Sequence, residues 1–192
     1  MGYYQAFYSE ASLPGMLPMS KEKYRQIVKD ILKVDAIHLY EVIGNFPFFN
    51  ENFIYGDTQP AIVVSLSPLV ISAYSDELDA VLFLKFPEDL GRTYKLHRGM
   101  RLTAANTYPD AKSVPKDIFP GQNYNSQFKD FTPMIHLFFS YDDERALALT
   151  SHFDEDVWAY VERLTAEREN KRCKPRDGFY FMMPEKKKFS IF

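Results

Sequence analysis

The stretch AIVVSLSPLVISAYSDELDAVLFLKFP, residues 61–87, is the longest apolar passage of the chain and sets its class. Its branched and aromatic side chains suit a pleated, half-buried surface. Ala61 to Tyr74 and Ala80 to Pro87 read as two strand runs, and the short polar Ser75–Asp79 between them predicts an antiparallel pair. Pro68 has no amide hydrogen to give to a ladder, so it is expected at a bulge or an edge position. Ser65, Ser67, Pro68 and Ser72 interrupt the first run, which therefore falls short of the ~18 unbroken apolar residues of a membrane helix.

Toward the amino terminus, Ser20 can cap a helix in which Tyr24, Ile27, Val28, Ile31 and Leu32 form one apolar stripe. Ala36 to Ile43 then switches to a strand-like composition closed by Gly44-Asn45, and residues 45–60 read as an irregular connection rich in Phe. Toward the carboxyl terminus, Tyr94 to Ala104 predicts a further strand, with Leu96, Met100 and Leu102 sharing one parity. No period survives from Ala105 to Phe131. Tyr108, Phe119, Tyr124, Phe128 and Phe131 argue that this long connection is an ordered loop pinned to the body, since disordered segments are poor in aromatics. Met134 to Ser140 reads as a strand. A short helix is expected through Arg145–Leu149, and a longer one from Asp154 with Val157, Tyr160, Val161 and Leu164 buried. Gly178 to Pro184 resembles an edge strand, followed by a basic tail over 184–192.

Strands outnumber helices and pair most simply as hairpins. The expected class is α+β: a single domain over 1–192 with a mostly antiparallel central sheet packed by two main helices. Composition agrees, because 192 residues with 46% apolar and 26% charged side chains match ordinary globular chains. No βαβ alternation appears, which argues against a doubly wound nucleotide-binding sheet.

Charge narrows the partners. With 23 Lys+Arg against 26 Asp+Glu, the net charge of −3 gives no general attraction for nucleic acid. The run from Arg168 to Arg176 does carry five basic residues and one acid, and Lys186–Lys188 adds more. Residues 142–162 hold seven acids against one Arg and offset that patch, so cations at a helix end and a solvated tail are the simpler reading. The single Cys173 cannot close an intramolecular disulfide or build a structural zinc site, although its basic neighbours would favour a reactive thiolate if it were exposed. The first twenty residues lack the parts of a secretory signal, and position six lacks the Ser or Thr of a myristoylation pattern. A cytoplasmic protein without a membrane segment is expected.

No dinucleotide-binding glycine fingerprint, phosphate loop, nucleophile elbow or zinc helix occurs. The four histidines stand far apart in sequence, so neither a metal site nor a cofactor is expected. Two constellations remain. His136, in a predicted strand with Asp142 and Asp143 just beyond it, is a candidate base with carboxylates to orient it; the alternative is a core histidine followed by acids that start a helix. Arg98 and Arg101, with Asn106 and Tyr108, are candidates for lining a small anionic-ligand pocket, although strand parity would send the two arginines to opposite faces. The alternative there is structural ion pairing.

Aromatic residues reach 16% of the chain, with clusters at 3–8, 46–55 and 179–181, and large amphipathic rings favour interfaces. The functional expectation is a non-catalytic binding or protein-interaction domain, acting on an unknown protein partner or through self-association. The competing reading is a hydrolase-like enzyme for a polar or anionic small molecule, using His136 with Asp142 or Asp143.

Overall fold

The Ala61–Pro87 stretch builds three strands rather than two: β1 (Asp57–Leu66), β2 (Leu69–Ser75) and β3 (Ala80–Phe86). Ser67-Pro68 makes the tight turn between β1 and β2, where a proline forfeits no ladder bond. Its place is therefore a hairpin turn, and the expected bulge or edge position is corrected. The computed structural model describes residues 12–32, 43–171 and 174–179. Within these, β4 (Arg101–Thr107), β5 (Thr132–Ile135) and β6 (Arg176–Asp177) complete a six-stranded sheet in the order β5-β4-β1-β2-β3-β6. All pairings are antiparallel except that of β3 with β6, so the α+β class holds.

Both faces of the sheet are covered, which is why every residue of β2 is buried. Alternation sends Ala61, Val63, Ile71, Ala73, Leu82 and Leu84 to one face, where they join the larger core. That core is closed by α1 (Lys21–Leu32), α2 (Phe46–Tyr55) and the single turn α4 (His136–Phe139), which follows the short α3 (Asp89–Thr93) in the chain. Tyr24 of α1 meets Phe46, Phe49 and Phe179 within 5.3–5.8 Å between ring centroids. The opposite parity, Ile62, Val64, Val70, Tyr74, Val81 and Phe83, packs under Trp158 and Val161 of α6 (Glu155–Asn170). Two helices thus start where their capping residues predict: Ser20 Oγ accepts from the Lys23 amide, and the Asp154 carboxylate from the Val157 amide.

Three expectations are corrected. Residues 46–55 form α2, because Pro47 lies in its first turn, where a missing amide hydrogen costs nothing. Tyr94–Ala104 is a turn leading into β4, which begins only at Arg101. Met134–Ser140 divides into the end of β5 and the turn α4. Of the expected strand Ala36–Ile43 only Ile43 is described, and it is helical; at the other end β6 falls at Arg176–Asp177, while residues 180–192 lie outside the described set, as does Cys173. The connection 108–131 is fixed at intervals. Asn123 donates its amide to Asp79, Gly121 its amide to the Leu78 carbonyl, and Tyr108 stacks on Phe128 at 4.5 Å.

Candidate functional site

His136 opens α4 and is fully buried. Its Nδ1 lies 2.9 Å from Thr103 Oγ1, and the Phe53 ring packs 5.1 Å from the imidazole. Burial lowers its pKa to about 3, so the ring is neutral at physiological pH. Asp142 is engaged elsewhere: its carboxylate accepts the Arg145 amide 3.0 Å away and starts α5 (Asp143–Ala148). Asp143 pairs with Lys23. Among the described residues no hydrogen bond joins His136 to either acid, so a base with its orienter is not assembled in this geometry.

The four candidate ligand residues divide into two pairs. Because β4 starts at Arg101, both arginines reach α6, and the expected separation onto opposite faces is corrected. Arg98 binds both oxygens of Glu169 at 3.0 and 3.2 Å. Arg101 takes Glu155 with two nitrogens at 2.7 and 2.9 Å, adds Glu162 at 3.2 Å, and lies 5.0 Å over Trp158. These are clasps from β4 and the turn before it to the helix that covers the sheet.

Asn106 and Tyr108 do come together, at the other end of β4. Asn106 Nδ2 donates to the Tyr74 carbonyl at 2.7 Å, and the Tyr108 hydroxyl lies 3.3 Å from Ser75 Oγ and 3.4 Å from Asp76. Asp57, opposite Asn106 in register, accepts from Gln59 at 2.6 Å, Ser12 at 3.2 Å and the Leu13 amide at 3.3 Å. Burial raises both the Asp57 carboxyl and the Tyr108 phenol above their ordinary ranges. The cluster is closed over: Asp57, Asn106 and Tyr108 are all buried. Its visible work is to bind residues 12 and 13 to the sheet end.

No family model, curated protein or solved structure matches this chain. The surface itself therefore has to carry any functional argument. The basic run is engaged in part: Arg176 pairs with Asp117 and Asp130 and Arg168 is buried between the rings of Phe83 and Phe119, while Lys171 and Lys174 are exposed. Among the described residues no group of His, Cys, Asp or Glu suits a metal ion, and no helix is long and apolar enough to cross a membrane.

A different face stands out. Residues 12–20 run as a strap across the molecule, with Met16 bonded to the Ile54 carbonyl, Thr58 to Leu13, Ser20 to Phe139, and Tyr141 to Pro18. The strap and α5 with its following 3-10 turn (Leu149–His152) flank a cavity of about 280 Å³ lined by Gly15, Arg145, Ala148, Leu149, Ser151 and His152. Four large side chains on the strap and the elements next to it in the chain or bonded to it are exposed: Met16, Tyr55 and Tyr141 by 52%, 55% and 79%, and Leu147 of α5 by 37%. Met16 is held in the left-handed region at φ 53°, which costs a residue with a β-carbon roughly 1–2 kcal/mol. The sequence carries no period for such a surface. Tyr141 between a buried Ser140 and the acids of α5 was its one visible signal, an aromatic where a solvated connection needs none.

Gly15 is required there. A β-carbon on it would stand 2.8 Å from His136 Nε2 and 3.1 Å from Thr58 Oγ1, two buried atoms without a hydrogen-bond partner. Neither can retreat through the core, so Gly15→Ala should lower stability by about 1–3 kcal/mol, the range for overpacked sites. Urea titration checks this, and an unchanged midpoint would show that the strap shifts freely.

Proposed function

We propose that this protein is a non-catalytic interaction domain of the cytoplasm that docks protein through the face made by the strap, Tyr55, Tyr141 and α5. The observation that supports the reading is the exposure of four large side chains, three of them by half or more, on the strap, on Tyr55 and Tyr141, which adjoin or form its hydrogen bonds, and on α5. Tyr and Met are enriched in interfaces, where a rigid ring or an adaptable thioether contributes contact at low entropic cost. The enzymatic alternative lacks comparable support, since His136, Asp142 and the two arginines are each held in structural contacts.

Native mass spectrometry of the protein purified gently from its own cells is the direct test. The expected result is an assembly heavier than the 22.4 kDa chain that disappears when Tyr141→Lys is introduced. A bare chain carrying a stoichiometric small-molecule excess would favour the enzymatic reading. An assembly that survives the substitution would remove this face from consideration.

A further inference from the structure

Independently of that docking reading, we infer that residues 14–16 of the strap form a gate, which opens locally and joins the surface cavity to the buried His136. His136 Nε2 and Thr58 Oγ1 are fully buried and have no hydrogen-bond partner among the described residues. Both converge on Gly15, standing 2.8 and 3.1 Å from the place its β-carbon would take. Gly15 is also one of the residues that line the cavity of about 280 Å³. A single residue without a side chain thus touches the two unsatisfied polar atoms and the cavity alike. Its displacement lets water bond to both atoms.

The strap is firm at its ends and strained between them. At one end Asp57 holds Ser12 and Leu13, and the Thr58 amide donates to the Leu13 carbonyl at 2.9 Å. At the other, Leu17 and Met19 are buried, the Met19 amide donates to Asn50 Oδ1 at 2.7 Å, and the Ser20 amide donates to the Phe139 carbonyl at 2.7 Å. The mid-section has less: the Met16 amide on the Ile54 carbonyl at 3.1 Å, and an isolated bridge of Pro14 to Asp57. Met16 is left-handed at φ 53°, which a β-carbon makes unfavourable, and Pro14 and Met16 are both turned to solvent. Opening gives up those two attachments, relaxes Met16 and hydrates His136 Nε2 and Thr58 Oγ1. It leaves both ends of the strap and the sheet in place, so it is a local event rather than unfolding.

Diethyl pyrocarbonate, which modifies an imidazole that solvent reaches, is the probe, with initial rates read by peptide mass. Exchange of the β2 backbone amides reports global opening under the same conditions. Exposed His97 and His152 should react first. His136 should react more slowly than these, with a protection at least about tenfold smaller than that of the β2 amides. Low urea should leave that protection unchanged, because local opening uncovers little surface. Met16→Gly should raise the protection a few-fold by removing the strain from the closed strap, and Gly15→Ala should lower it by wedging the strap away from His136. The Met16→Gly comparison stands even if Gly15→Ala does not fold. Protection of His136 equal to that of β2, protection that falls with urea as steeply as β2's, or a rate indifferent to Met16→Gly each overturns the inference.

Discussion

Between pH 6.5 and pH 4 the protein should lose stability at about 1.4 kcal/mol per pH unit through His136 alone. The folded pKa of about 3 lies below the ordinary 6.5, so in this window the unfolded chain binds a proton that the folded chain refuses. Stability from the neutral ring is complete above 6.5 and falls as the pH drops toward 3. Buried Asp57 and Asp130 act in the opposite sense: burial raises both, the folded state holds their protons longer, and their contribution grows as pH falls. Comparison with His136→Asn isolates the histidine, because an Asn amide can keep the bond to Thr103 and does not titrate in this range. Urea titrations at several pH values should show a slope in the parent that is about one proton steeper than in the variant. Parallel slopes would mean that water reaches the imidazole.

Arg176→Met should cost about 3–5 kcal/mol, the scale of a buried ion pair broken on one side. Arg176 donates two nitrogens to Asp117 at 2.7 and 2.9 Å and a third to Asp130 at 3.1 Å, with its side chain only 10% exposed. The two acids respond differently. Asp117, more open, is held below its usual range by the guanidinium, whereas burial of Asp130 outweighs the same cation and raises it. Removing the cation leaves Asp130 without its counter-charge in a buried site. Adding Asp117→Asn and Asp130→Asn to the variant should therefore restore much of the loss, measured as the urea midpoint at constant slope. If the triple variant is no better than the single one, packing of the arginine stem dominates.

Much of this architecture is legible before any coordinates. The α1 stripe and the helix begun at Asp154 each combine a period with a capping residue, and each forms its element; the apolar passage at 61–87 forms strands as expected, but three of them where two were read. Where the two signals separate, the reading fails. In α2 the sequence FPFFNENFIY has no polar face, because α2 packs among other aromatics, and its proline resembles a breaker. Arg98 and Arg101 illustrate the limit at the level of sites. Their chemistry suits a carboxylate, as expected, but whether that carboxylate belongs to a ligand or to α6 depends on contacts 54–71 residues away. His136 is the same case, since burial and the Thr103 contact are set by the turn at the end of β5.

The pairing of β3 with β6 has a consequence for synthesis. Some ninety residues separate these strands, so as the chain leaves the ribosome, at about 5–20 residues per second, β3 stands for seconds as an open border of the growing sheet. An unpaired row of amides and carbonyls invites another nascent chain. Lys85 is the one residue of β3 whose side chain reaches solvent, and its carbonyl later receives the Gly178 amide at 2.7 Å. A lysine at that position would shield the exposed border from neighbouring polypeptides until the chain's own segment arrives to occupy it.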